Sequence, residues 1–542
     1  MRTLMCLLLA LFAGSREHSV RVNQLGYYLL QEKVAVMEGV YAGAFELVDT
    51  QTGKPVYSAP AGEIRNSPFS EKQRTILDFS SFREPGNYVI CVNGTEVSPH
   101  FVIGQGVLNH LADAALDAFI LHRSTPGHPD THVLVHASAA TESRPEGTVI
   151  SSPGGWYDAG DYNKYIVNSA FTTGLVLAAC EQYPGNKRNK AILDEMLYNL
   201  KWSMTMQDPN DGGVYHKLTT PNFEGFIKPS ECRQTRYVVQ KSVTASLDFA
   251  ASMAQASRIY RTMGGEYFRL AAKMLEASKK AYTWSLNNPN ALYNQFALNG
   301  RYKPGINTGA YGDFSAADEW FWAACELFIT TGEPLYYDKI LECKPDSFRL
   351  PVWGNVAALG SFALFTNNKA LSGMKEELLS FCDSIAAAAS GSVFACGFGN
   401  KTRDFYWGCL SESCCGQGIA LLYAYRLSGN ESYRTAAHQN MDYILGRNST
   451  GYCYVTGMGS KSPVNPHHRL AATDDIPGPL KGFLIGGPNP ARQDGCEYPS
   501  LLPDESYADI IESYASNEIA INWNASLLHL ALGLSYLQDP GT

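Results

Sequence analysis

The sequence has little charge and no excess of positive charge. Charged residues make up 18% of the chain, and 43 basic against 52 acidic residues give a formal net charge of −9. A surface without a basic excess argues against nucleic acid as a partner and fits a neutral ligand. Hydrophobic residues make up 45% of the chain, which is the composition of a folded globular protein.

Long hydrophobic runs are absent except near the N-terminus, where residues 4–13 are apolar. This run is too short to span a bilayer, so we expect no membrane partner. It follows a single arginine and ends in the small residues Ala13, Gly14 and Ser15, which is the pattern of a signal peptide. The sequence therefore predicts that residues 1–15 are removed and that the mature protein is secreted or periplasmic.

Paired cysteine motifs are also absent. Of the 13 cysteines, all but Cys6 remain after the predicted cleavage, and their spacing contains no C-x-x-C pair. We therefore expect buried free thiols in preference to a disulfide framework. No H-E-x-x-H motif occurs either, which argues against a metal-dependent hydrolase.

The length of 542 residues is too great for one ordinary compact core and predicts a large domain with a smaller one. Residues 19–103 contain short strand-like stretches, with hairpins predicted across Thr52-Gly53 and Asn93-Gly94. Several short strands in a segment of this size predict an immunoglobulin-like β-sandwich.

From residue 107 to residue 542 the pattern becomes helical, with apolar residues at helical spacing in many segments. Pairs of such helices could close into a ring, and the lack of a fixed short repeat argues against a solenoid. Polar loops rich in Gly and Pro, notably 121–160 and 446–506, interrupt the helices. Loops of this length on a helical frame usually carry function.

Two carboxylates lie close together in GWYDAGDYNKY, residues 155–165. Asp158 and Asp161 lie on either side of Gly160 and are flanked by aromatic residues. Either one alone could be structural, with Asp161 as the N-cap of the next helix and Asp158 as a turn residue. Both together, among glycines and aromatic rings, indicate a functional site.

A second acidic segment near the end, YADIIESYASNEIAINWNA, contains Asp509 and Glu518. We expect Glu518 to open the apolar helix that follows, where the helix dipole favours an acidic side chain. Apolar neighbours raise the pKa of a carboxyl, as a general acid requires, whereas Asp161 in a wetter loop should stay ionised. Two carboxyls in opposed environments are what glycoside hydrolysis needs.

Between these segments, PHHR supplies His467 and Arg469. Both side chains could hydrogen-bond the hydroxyls of a sugar, or they could belong to a polar surface loop. Adjacent histidines chelate one metal ion poorly, so no metal site is expected at this position.

Six stretches of the sequence match a known family in order and spacing. They are VNQLGY (22–27), GWYDAGDYNKY (155–165), GGVYHKLT (212–219), DFYWG (404–408), PHHR (466–469) and YADIIESYASNEIAINWNA (507–525). Together they resemble the family 9 glycoside hydrolases, and most of all those with an N-terminal immunoglobulin-like domain. The resemblance covers essentially the whole mature chain. It implies a mainly α fold, an (α/α)6 barrel preceded by the small sandwich, and an inverting attack on β-1,4-glucans or cellodextrins.

The resemblance also implies a role for each matching carboxylate. Asp161 would be the general base, Asp158 would help to hold the attacking water, and Glu518 would be the general acid. Asp509 would support the site from the same motif as Glu518. Inversion leaves room for a water molecule between base and acid, so we expect the carboxyls of Asp161 and Glu518 to lie roughly 6.5–9.5 Å apart.

Substrate contacts are implied for four other residues. His467 and Arg469 would bind sugar near the cleavage point, and Trp407 and Tyr514 would line subsites. The chain departs from the family pattern directly after Trp407, where Cys409 begins an unusual continuation, CLSESCC. We therefore expect the neighbouring subsite to differ in geometry from that of the family.

Metal sites of the family carry over incompletely. Many relatives with this N-terminal domain bind zinc through Cys and His before the DAGD turn, but the loop here has no cysteine. It contains four histidines, at His122, His128, His132 and His136. We expect them to be surface histidines and do not expect zinc.

Calcium is common in the family and is required for no step of the chemistry. In TGAYGDFSAADEW, Asp313, Asp318 and Glu319 supply oxygen ligands of the kind that calcium prefers. The same three residues could instead cap the helix that follows, and the sequence favours neither interpretation.

Three hypotheses for function follow. The first is an endo-acting β-1,4-glucanase, a monomer with an open groove. The second keeps the chemistry but blocks one end of the cleft, as in an exo-acting cellodextrinase, β-glucosidase or glucosaminidase. The third is a carbohydrate-binding scaffold without catalysis, against which the intact Asp158, Asp161 and Glu518 argue. No cellulose-binding module follows the last helix, so we expect no tight adhesion to crystalline cellulose. We expect the N-terminal domain to brace the barrel.

Overall fold

The computed structural model describes residues 19–69, 72–124, 131–135 and 143–538, and of residues 131–135 only the side chain of Leu134. The predicted signal peptide, residues 1–15, lies outside the described residues. In the described part of the chain, no helix is long and apolar enough to cross a membrane.

The N-terminal part is a β-sandwich of two sheets. Its strands are β1 (Val20–Arg21), β2 (Gly26–Tyr28), β3 (Val34–Glu38), β4 (Ala44–Asp49), β5 (Pro55–Pro60), β6 (Ile64–Asn66), β7 (Gln73–Asp78), β8 (Gly86–Val92), β9 (Thr95–Glu96) and β10 (Phe101–Gly104). One sheet has the order β1-β3-β7-β6, and the other has the order β2-β10-β8-β4-β5, with β9 paired to β8.

Both predicted hairpins are present in the sandwich. β4 and β5 pair antiparallel on either side of Gly53, and β8 and β9 pair with Val92 opposite Thr95. Asn93 and Gly94 have φ values of 50° and 74°, which is the conformation of a type I′ turn. Inward-facing residues such as Phe45 and Leu47 form the core between the sheets.

The rest of the chain is mainly helical. The helices are α1 (Asn109–Leu121), α2 (Ile166–Gln182), α3 (Asn189–Thr205), α4 (Val243–Arg261), α5 (Gly265–Asn287), α6 (Gln295–Arg301), α7 (Ala317–Thr331), α8 (Pro334–Cys343), α9 (Ala357–Thr366), α10 (Met374–Gly391), α11 (Gly416–Ser428), α12 (Glu431–Ile444), α13 (Arg469–Thr473), α14 (Tyr514–Asn517) and α15 (Ile521–Gln538).

The long helices form two concentric rings. Helices α2, α4, α7, α9, α11 and α15 make the inner ring, in which α15 packs on α2, α2 on α4, α4 on α7 and α7 on α9. Helices α1, α3, α5, α8, α10 and α12 pack outside them. Every residue of α2 except Glu181 is buried, whereas α5 buries only one face. This burial difference is what an inner and an outer layer require, and the predicted (α/α)6 barrel is confirmed.

A third sheet lies in the barrel part, where the sequence predicts only helices and loops. Its strands are β11 (Thr131–Val135), β12 (Val149–Ser151), β13 (Lys164–Tyr165), β14 (Lys217–Thr219) and β15 (Tyr237–Val239). They pair in the order β12-β11-β15-β14-β13. The expectation of a plain loop between 121 and 160 is therefore wrong in part. Strands this short leave little periodic pattern in the sequence.

The sandwich is joined to the barrel through the VNQLGY stretch. Asn23 Nδ2 donates to Asp442 Oδ1 at 2.7 Å, and the backbone N–H of Gln24 donates to the carbonyl of Leu445 at 2.9 Å. The Gln24 side chain accepts from the N–H groups of Ser460 and Lys461, both at 2.9 Å. The same side chain donates to the Gly451 carbonyl at 2.9 Å, so it holds both ends of the 451–461 segment.

The cysteines are free throughout the described residues, and ten of the twelve present there are buried. The exceptions, Cys343 and Cys496, are partly exposed. This agrees with the prediction of buried free thiols.

Candidate active site

Three segments that are far apart in sequence meet at one end of the barrel. Ala159 pairs antiparallel with Ala520, and His467 pairs parallel with Glu518, as isolated β-bridges. The N–H of Ile521 also donates to the carbonyl of Asp158 at 2.9 Å. These backbone contacts place the DAGD turn, the PHHR segment and Glu518 side by side, so the structure brings together the residues that the sequence selects.

At Gly160 the DAGD turn packs tightly against the other two segments. A Cβ atom on this residue would lie 2.3 Å from the His467 carbonyl oxygen and 3.2 Å from Oε1 of Glu518. A backbone oxygen cannot move aside without breaking the bridge between His467 and Glu518. The glycine between the two aspartates is therefore required by packing against the other two segments.

Asp158 is buried and both of its carboxylate oxygens are hydrogen-bonded. Asn168 Nδ2 donates to Oδ1 at 2.8 Å, and the Tyr311 hydroxyl donates to Oδ2 at 2.7 Å. Burial and then the charge of Asp161 raise its pKa, while these two donors and Lys217 oppose the shift. The donors hold the carboxylate in one orientation.

Asp161 is only 5% exposed, so the expectation of a wetter loop is wrong. Burial raises its pKa, and the charge of Arg469 is the largest influence in the opposite direction. Asn163 Nδ2 donates to Asp161 Oδ2 at 2.5 Å and the Tyr165 hydroxyl donates at 3.3 Å. These donors and the charge of Arg469, instead of water, oppose the effect of burial on this carboxyl. The N-cap of α2 is Tyr165, so the alternative in which Asp161 caps this helix is also wrong.

Glu518 lies between two helices and not in the first turn of one. Its backbone is extended, with φ −75° and ψ 163°, after α14 ends at Asn517 and before α15 begins at Ile521. The expected stabilisation by a helix dipole therefore does not apply. Burial raises its pKa well above the usual range, Asp161 adds to the shift, and Arg469 opposes it.

Arg469 and His467 are held by backbone carbonyls. Arg469 Nη1 donates to the carbonyl of Gly160 at 2.8 Å, and its Nε donates to the carbonyl of Glu224 at 2.7 Å. His467 Nδ1 lies 2.6 Å from the carbonyl of Ile511, and burial lowers the pKa of the imidazole to about 4. At neutral pH the ring is therefore uncharged, with Nδ1–H as donor and Nε2 as acceptor.

Asp509 does not contact the three central carboxylates through any described hydrogen bond. Its side chain accepts from the N–H groups of Val464 and Asn465, at 3.0 and 2.9 Å, and from Asn517 Nδ2 at 3.2 Å. It ties the segment before His467 to the segment before Glu518. The supporting role that the resemblance implies for Asp509 stays a prediction.

A cavity of about 400 Å³ opens beside Glu518. Its aromatic lining comprises Tyr311, Trp353, Trp407 and Trp523. Trp407 is 41% exposed, and its ring lies 5.4 Å from that of Tyr514, which in turn lies 6.0 Å from the His467 ring. Both aromatic residues predicted to line subsites are thus next to the site.

The segment after Trp407 forms a turn of π-helix, Leu410–Cys415. Gly408 has φ +88°, and a Cβ there would lie 2.8 Å from Trp523 Nε1, so only a glycine lets the backbone pass this close to the Trp523 ring. Cys409 is buried, and its thiol donates to the carbonyl of Pro488 at 3.4 Å. The π-helical turn carries Glu412 into the cavity, and burial raises the pKa of this carboxyl to about 7.

Sequence reasoning missed several residues of the site. Tyr311, Trp353, Trp523 and Glu412 line the cavity, and two exposed rings, Phe223 and Phe226, lie 5.7 and 5.3 Å from the Arg469 guanidinium. The sequence does contain a pattern that could have indicated Phe223 and Phe226, because TPNFEGFIKPSE is a polar loop with two aromatic residues. For Tyr311 and Trp353 the sequence gives no local signal.

The acidic residues proposed for calcium gather around a fourth one on α4. Asp248 is fully buried, and neither carboxylate oxygen has a hydrogen-bond partner; Oε2 of Glu319 is also buried without one. Burial raises the pKa of Asp248 and Glu319 well above the usual range, and Asp318 adds to both shifts. Asp318 accepts from the N–H of Val356 at 2.8 Å, and Asp313 accepts from the N–H of Phe314 at 2.6 Å.

Neither Asp313 nor Asp318 is the N-cap of α7, which is Ala316 without a side-chain cap. Helix capping therefore does not explain the acidic residues. Across the residues that the structure describes, no group of three or more His, Cys, Asp or Glu side chains could by itself hold a metal ion.

The histidines of the loop before the DAGD turn are described only in part. His122 is 1% exposed and its ring stacks on that of His468 at 5.1 Å, so the expectation of a surface histidine is wrong for it. Burial lowers the pKa of His122 to about 4. His128 and His136 lie outside the described residues, as does the side chain of His132.

Comparison with known proteins decides the family. A model described as glycosyl hydrolase family 9 matches residues 109–531. The chain belongs to glycosyl hydrolase family 9. A second model, the cellulase N-terminal ig-like domain, matches residues 15–97. The predicted resemblance is confirmed for both parts, and the chain is a glycoside hydrolase by family.

Relatives of this family 9 hydrolase match it over nearly its whole length. It is 48% identical to the xyloglucan-specific endo-β-1,4-glucanase BoGH9A of Bacteroides ovatus, across 96% of this chain and 94% of that protein. It is 33% identical to endoglucanase D of Acetivibrio thermocellus, across 96% of this chain and 84% of that protein. A solved structure of Bacteroides ovatus GH9 superimposes with a TM-score of 0.90 at 47% identity, and covers 96% of this chain and 99% of its own.

Proposed function

We propose that this family 9 hydrolase is an endo-acting, inverting β-1,4-glucanase in which Asp161 is the general base and Glu518 the general acid. The observation that carries the proposal is the arrangement of carboxyls around Gly160. Two buried aspartates with fixed donors flank this residue in sequence, and a Cβ on it would lie 3.2 Å from Oε1 of Glu518, whose pKa burial raises well above the usual range.

The base half of the reaction uses one water molecule. Asp161 accepts a proton from the water as its oxygen attacks the anomeric carbon, and Asp158 accepts the second hydrogen bond of the same water. Tyr311 and Asn168 fix Asp158, and Asn163 and Tyr165 fix Asp161, so little reorganisation is needed when the water attacks.

The acid half breaks the glycosidic bond. Glu518 donates its proton to the glycosidic oxygen as the bond to the anomeric carbon lengthens, and the sugar product leaves as a neutral alcohol. The raised pKa favours the protonated form that a general acid needs. Direct attack by water on the opposite face inverts the anomeric configuration, so an acid–base separation of roughly 6.5–9.5 Å stays a prediction of this mechanism.

The substrate we propose is a β-1,4-linked glucan, and xyloglucan is the first polymer to test. The support is the 48% identity to a xyloglucan-specific relative and the exposed rings beside the site. Trp407 is exposed next to the cavity, and Phe226, also 41% exposed, lies beside Arg469. Rings at several positions along a groove suit a polymer, because each flat sugar face can stack on one of them.

Product analysis over time tests the endo-acting part of this proposal. The substrates are xyloglucan, carboxymethyl cellulose and cellohexaose, with viscosity and oligosaccharide products followed together. We expect a rapid fall in viscosity and a mixture of oligosaccharides. Release of only glucose or cellobiose with little change in viscosity would identify an exo-acting enzyme. Proton NMR of the first products should show the α-anomer, whereas β-anomer would contradict inversion.

The cavity is lined by a second carboxyl, that of Glu412, so Glu412→Gln serves as a matched control for Glu518→Gln. Glu518→Gln should lower kcat on cellohexaose by at least about 10³-fold, whereas Glu412→Gln should stay within about tenfold of wild type. An aryl β-cellobioside with a good leaving group needs no protonation, so it should be cleaved by Glu518→Gln but not by Asp161→Asn. The reverse result for the two glutamates would mean that Glu412 is the acid.

We also propose that a structural calcium ion occupies the acidic cluster at the start of α7. Asp248, Asp318 and Glu319 would be the ligands, and the unpartnered buried oxygens of Asp248 and Glu319 support this. The side chains do not already surround one point, so water or backbone oxygens would complete the coordination. The ion would stabilise the fold and take no part in bond cleavage.

We also propose that the protein is exported and that it is a monomer. We expect export with removal of residues 1–15 and a monomer in solution. N-terminal sequencing of the exported protein and light scattering test the two points. An intact N-terminus or a dimer mass would contradict them.

A further inference from the structure

The GGVYHKLT stretch holds the loop that positions Asp158. His216 Nε2 lies 2.8 Å from the carbonyl of Ala310, and Lys217 Nζ donates to the carbonyl of Gly309 at 2.6 Å. The next residue, Tyr311, has φ +48°, a conformation that a non-glycine side chain rarely adopts. Two consecutive carbonyls are thus fixed directly before the tyrosine that donates to Asp158.

Lys217 is fully buried and its other hydrogen bonds go to neutral groups. Its Nζ donates to Gln295 Oε1 at 2.7 Å and to Thr308 Oγ1 at 3.2 Å. The ammonium also lies 5.5 Å from the ring centre of Tyr165 and 5.6 Å from that of Tyr293. Its three hydrogens are therefore satisfied, but none of these partners carries a negative charge.

Lys241, another buried lysine of this region, is paired with carboxylates, as a buried charge usually is. Lys241 lies 2.8 Å from a carboxylate oxygen of Asp208 and 2.7 Å from one of Asp211. Lys217 has no such partner, since no carboxylate in the described residues lies within 4.0 Å of its ammonium. Leaving a buried charge without compensation is costly, so a nearby anion must balance it.

The anions that balance Lys217 are the two aspartates of the site. Several titratable groups face Lys217 or the aspartates, namely Asp158, Asp161, Tyr165, His216, Tyr293, Tyr311, Arg469 and Glu518. The tyrosines are neutral, and burial lowers the pKa of His216 to about 3, so this ring is neutral too. Lys217 and Arg469 are then the two cations that act on the aspartate pair.

We propose that Lys217 is a positioning residue of the reaction, whose buried positive charge favours ionisation of the Asp158–Asp161 pair while its hydrogen bonds fix the Tyr311 loop. This inference rests on the proposed base and adds a residue that no substrate atom touches. It gives the GGVYHKLT stretch a role in the chemistry.

The direction of the effect follows from the charges. Burial lowers the pKa of Lys217 to about 7, with Asp161 and Asp158 acting in the opposite direction, so the ammonium is charged at pH values below about 7. A positive charge lowers the pKa of a nearby carboxyl. Loss of that charge must raise the pKa of the aspartate pair, and kcat/KM must then begin to fall at a higher pH.

The first test compares two neutral variants, Lys217→Met and Lys217→Gln, by the pH dependence of kcat/KM on cellohexaose. Both should move the acid limb upward by about one pH unit. Glutamine can still donate to the Gly309 carbonyl, so recovery of the wild-type profile in Lys217→Gln alone would mean that only loop positioning matters. An unmoved acid limb in both folded variants would overturn the proposal.

A second pair of variants leaves Lys217 in place, in case the neutral substitutions do not fold. Gln295→Glu puts a carboxylate against the ammonium, and Gln295→Met removes the same amide without adding charge. We expect the acid limb to rise in Gln295→Glu and to stay at the wild-type pH in Gln295→Met. Equal profiles for the two would refute the role of the charge.

The activity of Asp161→Asn distinguishes failure of this inference from failure of the proposed function. If Asp161→Asn keeps full activity on cellohexaose, the proposed base is wrong. If Asp161→Asn is inactive while the Lys217 and Gln295 variants keep the wild-type acid limb, the base stands and only the role of Lys217 is refuted.

Discussion

The hydroxyl of Tyr311 donates a hydrogen bond of 2.7 Å to Oδ2 of Asp158. The two residues are 153 positions apart, and the tyrosine takes the left-handed backbone conformation, with φ +48°. Such a conformation in a residue with a bulky side chain costs about 1–3 kcal/mol and persists where the surroundings enforce it. The enforcing contacts are the carbonyls that His216 and Lys217 hold.

Tyr311→Phe should therefore change the pH dependence of the reaction. The hydroxyl stabilises the ionised form of Asp158, so its loss raises the pKa of that carboxyl. We expect kcat on cellohexaose to fall by about 10–100-fold and the acid limb of kcat/KM to move to higher pH. Tyr260→Phe is the matched control, since its buried hydroxyl donates to the Leu193 carbonyl far from the aspartates. A wild-type profile in Tyr311→Phe would show that this hydrogen bond does not tune the site.

Gly160→Ala tests the packing between the three segments of the site. The added methyl group would lie 2.3 Å from the carbonyl oxygen of His467, which cannot yield without loss of the bridge to Glu518. We expect kcat/KM to fall by more than about 10²-fold, because small displacements of catalytic groups are costly. Gly300→Ala is the control, since a Cβ there meets nothing within 4 Å. Equal activity of the two variants would rule out a tight approach at Gly160.

Calcium removal should lower the thermal stability of the wild-type protein. If the ion neutralises Asp248 and Glu319, chelation leaves buried charges uncompensated, and Tm should fall by several degrees and recover on addition of calcium. Asp248→Asn should be insensitive to the chelator, since it removes the ligand with two unpartnered oxygens. A wild-type Tm that chelation does not change would instead mean that protons neutralise the cluster.

Gln24→Ala tests whether the sandwich braces the barrel. The side chain holds both ends of the 451–461 segment, and Val464 and His467 follow directly. Loss of one buried and two partly buried hydrogen bonds should lower the free energy of unfolding by about 2–3 kcal/mol and raise KM more than it lowers kcat. Gln51→Ala changes an exposed glutamine of the same domain and should alter neither quantity. A Gln24→Ala variant with wild-type Tm and KM would contradict bracing.

The parts of the fold that follow local rules could be predicted from the sequence. Asn93-Gly94 fixes a type I′ turn almost alone, and apolar residues at helical spacing reveal the helices of the barrel. The central carboxylates could be found as well, because DAGD and the Glu518 motif have unusual composition over short stretches. Each of these patterns is contained in one stretch of about twenty residues or fewer.

The remainder depends on contacts between distant segments. Glu518 leaves helical geometry because it pairs with His467 and its carbonyl accepts from the N–H of Gly486, neither of which its neighbours in sequence encode. The third sheet joins strands of two to five residues across a hundred positions, too short for a periodic pattern. Tyr311 is one tyrosine among 31, and only its place opposite Asp158 distinguishes it.

The hydrogen bonds of Gln24 to the 451–461 segment limit how the two domains can be recombined, both in engineered chimeras and in evolution. The boundary between the sandwich and the barrel is an obvious place to exchange domains. A chimera with a sandwich from another parent would, however, lose the hydrogen bond between Gln24 and Lys461, only four residues before Asn465, which is bonded to Asp509. Residues 22–26 and 445–461 must therefore be inherited as one unit. We expect functional hybrids only when both stretches come from the same parent.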